Sequence, residues 1–157
     1  MEKEKLKVAL VSSTGGHFSE LLQLVPGVEA FKYFIVTEEN STSGSICEKH
    51  PVHFLKQQER KDFFFFNVFL SNIYRSFRIL MKEKPDVIIS TGAGATVPIC
   101  LLGKLLRKRI IFIESFAKVN SPTMTGRIVY RFSDKFYIQW QELEKFYPKA
   151  EYRGKIY

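Results

Sequence analysis

A chain of 157 residues suits one ordinary domain with a full core and is too short for two, so any function that needs two such domains needs a second chain. Its composition, 45% hydrophobic and 25% charged, is a globular balance, and an aromatic share of 15% with 15 Phe leaves some Phe for a role outside a core. The net charge of +8 and a pI near 9.5 exclude a strongly basic partner and favour nucleic acid, an anionic membrane surface or a phosphorylated substrate.

The N-terminal MEKEKLKVAL has an apolar run too brief for a signal-peptide core, which points to the cytoplasm. That run, residues 6–12, reads as a buried strand. It breaks into Ser12-Ser13-Thr14-Gly15-Gly16-His17, a glycine turn opening a helix over 18–24. A second strand follows at 31–37, then a polar, less regular stretch over 38–59 with a short strand at 52–55. His50 and His53 have a spacing that suggests metal, but no acidic or cysteine partner stands at ligand spacing, so no metal site is expected.

Residues 63–84 carry a helical period in which Phe66, Phe69, Leu70, Ile73, Phe77 and Leu80 form one apolar stripe, expected to pack on the sheet. Phe64, Phe65 and Val68 fall outside it, beside Arg75, Arg78 and Lys82, a mixture suited to a membrane or protein interface. A further strand is expected at 86–91 and a helix at 95–106, joined by Ser90-Thr91-Gly92-Ala93-Gly94-Ala95. The uncharged run 87–103 approaches the length of a membrane span but is interrupted by this turn and by Pro98. Strands at 109–114 and 135–140 flank a helix at 123–132, with Ser121-Pro122 read as its cap and first position. Cys47 and Cys100 lack the spacing of a redox or zinc pair, and no disulfide is expected.

Strands alternating with helices imply a single α/β domain over 1–157 with a doubly wound, mainly parallel, Rossmann-like sheet. Ligands in such folds sit outside the carboxyl ends of the strands, where the two glycine turns and Glu114-Ser115-Phe116 lie. Helix N-termini after glycine turns offer amides to an anion. Gly92-Ala93-Gly94-Ala95-Thr96-Val97 nearly matches GxGxxG, with Glu114 or Glu38 as a ribose-binding acid, and this leaves a free-standing NAD-binding domain as one alternative. From the turn alone, His17 reads as a helix-capping residue or as a catalytic base. Glu114 reads as a structural ion-pair member or as a group binding hydroxyls or managing a proton.

STGGHFSELLQL, STGAGATVPICLL, IESFAKVNSPTMTGRIVYRFSDKFYIQW and AEYRGKIY together resemble the membrane-anchor subunits of the two-component N-acetylglucosaminyltransferase that extends dolichol-linked oligosaccharides. The resemblance is closest to bacterial counterparts in capsular and exopolysaccharide synthesis. It implies the N-terminal half of a split GT-B glycosyltransferase whose catalytic partner chain supplies the C-terminal half and binds most of the UDP-sugar donor. No cofactor is implied and no nucleic acid; the acceptor is a lipid-linked sugar. The resemblance makes His17 the candidate base and assigns phosphate binding to Gly15 and Gly16. Glu114 would orient the acceptor, in a cleft with Thr91, Gly92, Gly94, Ser115 and Asn120. Eukaryotic members carry an N-terminal transmembrane helix, whereas here a strand begins almost at once. Attachment is therefore expected to be peripheral, on the cytoplasmic face of the cell membrane, through Phe64, Phe65, Val68, Arg75 and Arg78. A noncatalytic scaffold that enhances its partner is the second alternative.

Overall fold

A computed structural model of the protein describes residues 6–39, 47–57 and 65–157. Each short Val/Ile/Phe run becomes a strand: β1 (Lys7–Ser12), β2 (Lys32–Glu38), β3 (Val52–Leu55), β4 (Val87–Gly92), β5 (Arg109–Ile113) and β6 (Lys135–Ile138). A two-residue β7 (Glu151–Tyr152), not anticipated from the sequence, closes the edge beside β6. The helices are α1 (Gly16–Leu22), α2 (Val25–Val28), α3 (Phe65–Glu83), α4 (Val97–Leu105) and α5 (Met124–Val129).

The described strands form one parallel sheet in the order β3-β2-β1-β4-β5-β6-β7. Parallel neighbours require crossovers, and here the chain winds outward from β1 to β3, then returns through α3 to β4 and winds the other way. The direction reverses between β1 and β4, which is where a doubly wound sheet opens a crevice. The register slips at the end of this pair, so that Ser12 stands opposite Gly92 after Val11 has paired with Ser90.

Strand residues alternate between two buried layers, as expected for a sheet covered on both faces. Ala9, Val11, Phe34, Ile88, Ile110, Phe112 and Phe136 pack under α3, α4 and α5, whereas Val8, Leu10 and Ile35 pack under α1 and α2 with Leu21, Val25 and Val28. Gly103 of α4 allows that helix to sit close, since a Cβ there would lie 2.3 Å from Ile88 Cδ1. Cys100 is buried beneath it, its thiol pushed up to about 12 by desolvation, and Cys47 is exposed; both are free thiols.

α3 departs from the expected orientation. Leu80 is buried, and Phe69 and Ile73 are half-buried, but Phe66, Leu70 and Phe77 are exposed. The inward positions belong instead to Asn72, Ser76 and Ile79. The cause lies at the sheet edge, where β3 has no outer neighbour among the described residues and the backbone beyond it needs partners. Asn72 supplies both, accepting from Lys56 N–H at 2.8 Å and donating to Lys56 O at 2.9 Å. Arg75 likewise turns inward to donate to Phe54 O at 3.2 Å. Of the proposed interface residues, Val68 is half-buried, Phe65 starts α3, and Phe64 lies outside the described residues.

Candidate active site

Two loops leave the sheet at the β1/β4 crevice, and hydrogen bonds lace them together. Ser13 N–H donates to Gly92 O at 2.7 Å, and Ser13 Oγ accepts from Ala93 N–H at 3.1 Å. Thr91 Oγ1 donates to His17 O at 2.8 Å, and His17 Nδ1 lies 2.7 Å from Thr91 O. A carbonyl oxygen only accepts, so Nδ1 carries the proton of this last bond. In the neutral ring Nε2 is then left as a lone-pair acceptor, the tautomer a general base requires.

The backbone is built to hold this ring. Gly15 caps α1 with φ of 72°, and Gly92 turns out of β4 with φ of 94°, both in the region that favours glycine. A Cβ on Gly92 would lie 3.3 Å from His17 Nδ1 and 3.4 Å from Cε1. The bare glycine thus lets the imidazole lie against the β4 turn. His17, Thr91 and Gly92 line a cavity of about 180 Å³ whose far wall is Lys118, Thr123 and Thr125.

That far wall belongs to the Glu114–Val119 segment and the start of α5, and buried groups clamp it. Glu114 is fully buried; its carboxylate accepts from Ser115 N–H at 2.9 Å, Thr123 N–H at 3.1 Å, Thr123 Oγ1 at 2.8 Å and Tyr147 Oη at 2.6 Å. Burial and the adjoining carboxylate raise the Tyr147 hydroxyl pKa, so it remains a donor. Thr123, rather than Ser121, caps α5, accepting from Gly126 N–H at 2.7 Å. The helix starts later than expected because Thr123 serves the cap and Glu114 at once.

Gln139 and Trp140 complete the clamp. Gln139 Nε2 donates to Glu114 O at 3.0 Å and its Oε1 accepts from Ile156 N–H at 3.0 Å, while Trp140 Nε1 donates to Phe116 O at 2.7 Å. From α1, three residues beyond His17, Glu20 Oε1 accepts from Phe116 N–H at 2.8 Å and Ser115 Oγ at 3.4 Å. Desolvation raises the Glu20 pKa. One short helix therefore carries both the cavity histidine and a tie to the opposite wall.

The expected site residues thus divide. His17, Thr91 and Gly92 meet at the cavity, with Gly15, Gly16 and Gly94 on the adjoining turns. Glu114, expected to orient an acceptor or serve as a ribose acid, lies beneath the loop, fully buried, with both oxygens hydrogen-bonded within the protein. Ser115 is buried against Glu20, and Asn120 is exposed and outside the cavity lining. Glu38, at the end of β2, accepts from Thr14 N–H at 3.3 Å. His50 and His53 diverge, the first sharing a 2.8 Å hydrogen bond with Tyr33 Oη and the second a 2.9 Å bond with Glu83. Sequence reasoning missed Glu20 and Lys118; neither has a local pattern that sets it apart from a solvated helix acid or loop lysine.

The sequence matches the family described as "Oligosaccharide biosynthesis protein Alg14 like" over residues 8–156. The UDP-N-acetylglucosamine transferase subunit ALG14 of Rattus norvegicus is 29% identical, over 98% of this chain and 84% of the rat protein. Among solved structures, Acinetobacter baumannii MurG superposes with a TM-score of 0.72 at 14% identity over 87% of this chain. UDP-N-acetylglucosamine 2-epimerase from Rickettsia bellii gives 0.75 at 14% identity over 97%. This chain spans 42% and 45% of those two proteins, respectively. At such identities the likeness is one of fold, the Rossmann-like sheet of a GT-B N-terminal-type domain.

Proposed function

The chain belongs to the Alg14-like family of oligosaccharide biosynthesis proteins, and on that premise we propose that it is one half of a heteromeric UDP-sugar glycosyltransferase making a lipid-linked capsular or exopolysaccharide precursor. In this reading the chain supplies the acceptor site and membrane recruitment. A separate catalytic chain, the C-terminal GT-B half, binds most of the UDP-sugar. The observation that carries the reading is the His17 ring, fixed by Thr91 O at the switch-point cavity.

The proposed reaction is an inverting transfer without metal or cofactor. The acceptor hydroxyl attacks the anomeric carbon as the bond to the UDP phosphate breaks, His17 Nε2 takes the hydroxyl proton, and UDP leaves with the bonding electron pair. Amides of Gly15 and Gly16 at the start of α1 are offered to a phosphate of the lipid carrier or donor. Thr91, Gly92 and Gly94 line the approach. Glu114 and Glu20 act at one remove, by holding the wall opposite His17. Among the described residues no helix is long and apolar enough to cross a membrane. The attachment we propose is peripheral, on the cytoplasmic face.

Co-purification with the product of a neighbouring gene, followed by a screen of UDP-sugars, tests the assignment: a stable pair that transfers one sugar to a lipid-linked acceptor is expected. Failure of every neighbouring transferase-like chain to bind would count against it. The two glycines of the β4 turn give a sharper expectation. Gly92→Ala imposes side-chain strain at φ of 94° and pushes on the imidazole, so transfer should fall about 10²-fold for a displacement near 1 Å. A Cβ at Gly94 meets nothing within 4 Å. Gly94→Val should therefore melt near wild type yet lose transfer, and wild-type transfer by this variant would show that the glycine serves the turn alone.

A further inference from the structure

We infer that the outward face of α3, continued by α4, lies flat on an anionic lipid bilayer, an inference that rests on the membrane-recruiting role proposed above and assigns it to a surface. Along α3, Phe66, Leu70, Tyr74, Phe77 and Met81 recur at steps of three and four residues, the spacing of one helix face. They are 67%, 48%, 63%, 45% and 48% exposed. On α4, Leu101 and Leu105 add a second outward pair four residues apart. Single exposed apolar residues are ordinary, but a stripe of this length on one helix, whose inward face holds Asn72 and Ser76, marks a surface with a partner.

Charge selects the partner. Arg78 and Lys82 flank the stripe on α3, and Arg107 and Lys108 follow the end of α4, where Lys104 is paired with Asp134 at 2.5 Å. The only acid on either helix is Glu83, and it is held by Lys7 Nζ at 2.5 Å and His53 Nε2 at 2.9 Å. A groove beside α3 sets Lys56, Arg78 and Lys82 around Phe54 and Tyr74. Among the described residues of α3 and α4, apolar side chains are rimmed by cations and the one acid is paired, which suits headgroup anions above and acyl chains below. A second copy docked by two-fold symmetry would set this basic rim against itself.

Topology gives the surface a use. α3 follows β3 and leads to β4 in a parallel sheet, so it runs against the strands and begins at their carboxyl ends. Phe66 is therefore at the end of α3 nearest the level of the His17 cavity. A bilayer on this face brings the crevice to the membrane surface, where a lipid-linked hydroxyl is presented. Arg75, engaged with Phe54 O, and half-buried Val68 are not the contacts; the stripe turned outward by Asn72 is.

Flotation of the full chain with vesicles of phosphatidylcholine alone and of equimolar phosphatidylcholine and phosphatidylglycerol tests this. Wild type should float with the anionic vesicles at low salt and much less at high salt, because surface charges are screened. Leu70→Ser/Phe77→Ser and Arg78→Glu/Lys82→Glu should each bind at least about tenfold more weakly, at unchanged melting temperature. Wild type failing to float with anionic vesicles, or both variants floating like wild type, would overturn the inference. So would a concentration-dependent dimer that the variants abolish, or loss of partner-chain binding by the variants with flotation intact. Transfer to a water-soluble, short-chain acceptor separates this from the transferase reading: Leu70→Ser/Phe77→Ser should transfer at the wild-type rate with the partner. Normal flotation with no transfer by wild type would sink the transferase reading alone.

Discussion

His17→Ala is expected to lower transfer by the reconstituted two-chain complex about 10²- to 10⁴-fold, the range contributed by a positioned general base. The loss should appear without loss of assembly. Among the described residues the imidazole makes one side-chain hydrogen bond, to Thr91 O, and removing such a bond costs about 1 kcal/mol. The turn itself remains tied by Ser13 to Gly92 and Ala93. Folding and partner binding should thus survive, as judged by melting temperature and pull-down. Transfer at the wild-type rate by the variant would instead favour a scaffold that only enhances its partner. The comparison is informative because His17 lies in the first turn of a short helix whose other tie, Glu20 to Phe116 and Ser115, is untouched.

Gly126→Ala should produce the largest loss of stability. A Cβ at this position would lie 2.1 Å from Glu114 Oε2 and 2.5 Å from Tyr147 Oη. Neither is the loose end of a surface side chain: Glu114 is 0% exposed and Tyr147 1% exposed. The methyl group must either part the Tyr147–Glu114 hydrogen bond or push α5 from the sheet. Overpacking costs about 1–3 kcal/mol and breaking a buried charged network about 3–5 kcal/mol. A loss of at least about 3 kcal/mol in denaturant unfolding follows, a large part of the stability of an ordinary domain. Tyr147→Phe isolates the hydroxyl and should cost about 1.5–3 kcal/mol, the worth of a hydrogen bond to a charged group. Unchanged unfolding midpoints in both variants would contradict the clamp.

These two positions show how far the sequence could be read. Strands and glycine turns were legible because their causes are local: a run such as VALVS is too short and too β-branched for a helix, and a glycine pair after it ends the strand. The meeting of the His17 turn with the Thr91-Gly92 turn followed from the topology that such runs imply. The orientation of α3 did not follow, because apolar residues occur on several of its faces. What decides is Asn72 pairing with Lys56 at a sheet edge sixteen residues away. Glu114 was legible as an acid at a strand end, but its occupation by Thr123 and Tyr147 depends on contacts that no periodicity records. Glu20 is hidden for the same reason. The ESFAKV and QW segments stand out only through family resemblance, and the hydrogen bonds from Gln139 and Trp140 to Glu114 O and Phe116 O bring the two together physically.

The central claim is that this fold holds half of an active site that forms between two chains. Its most direct test is release of UDP and transfer of sugar to a lipid-linked acceptor, measured for this chain alone, the partner alone and the two mixed. The account predicts turnover only in the mixture, because a GT-B cleft lies between two domains and the described residues build one sheet. Robust turnover by this chain alone would contradict it.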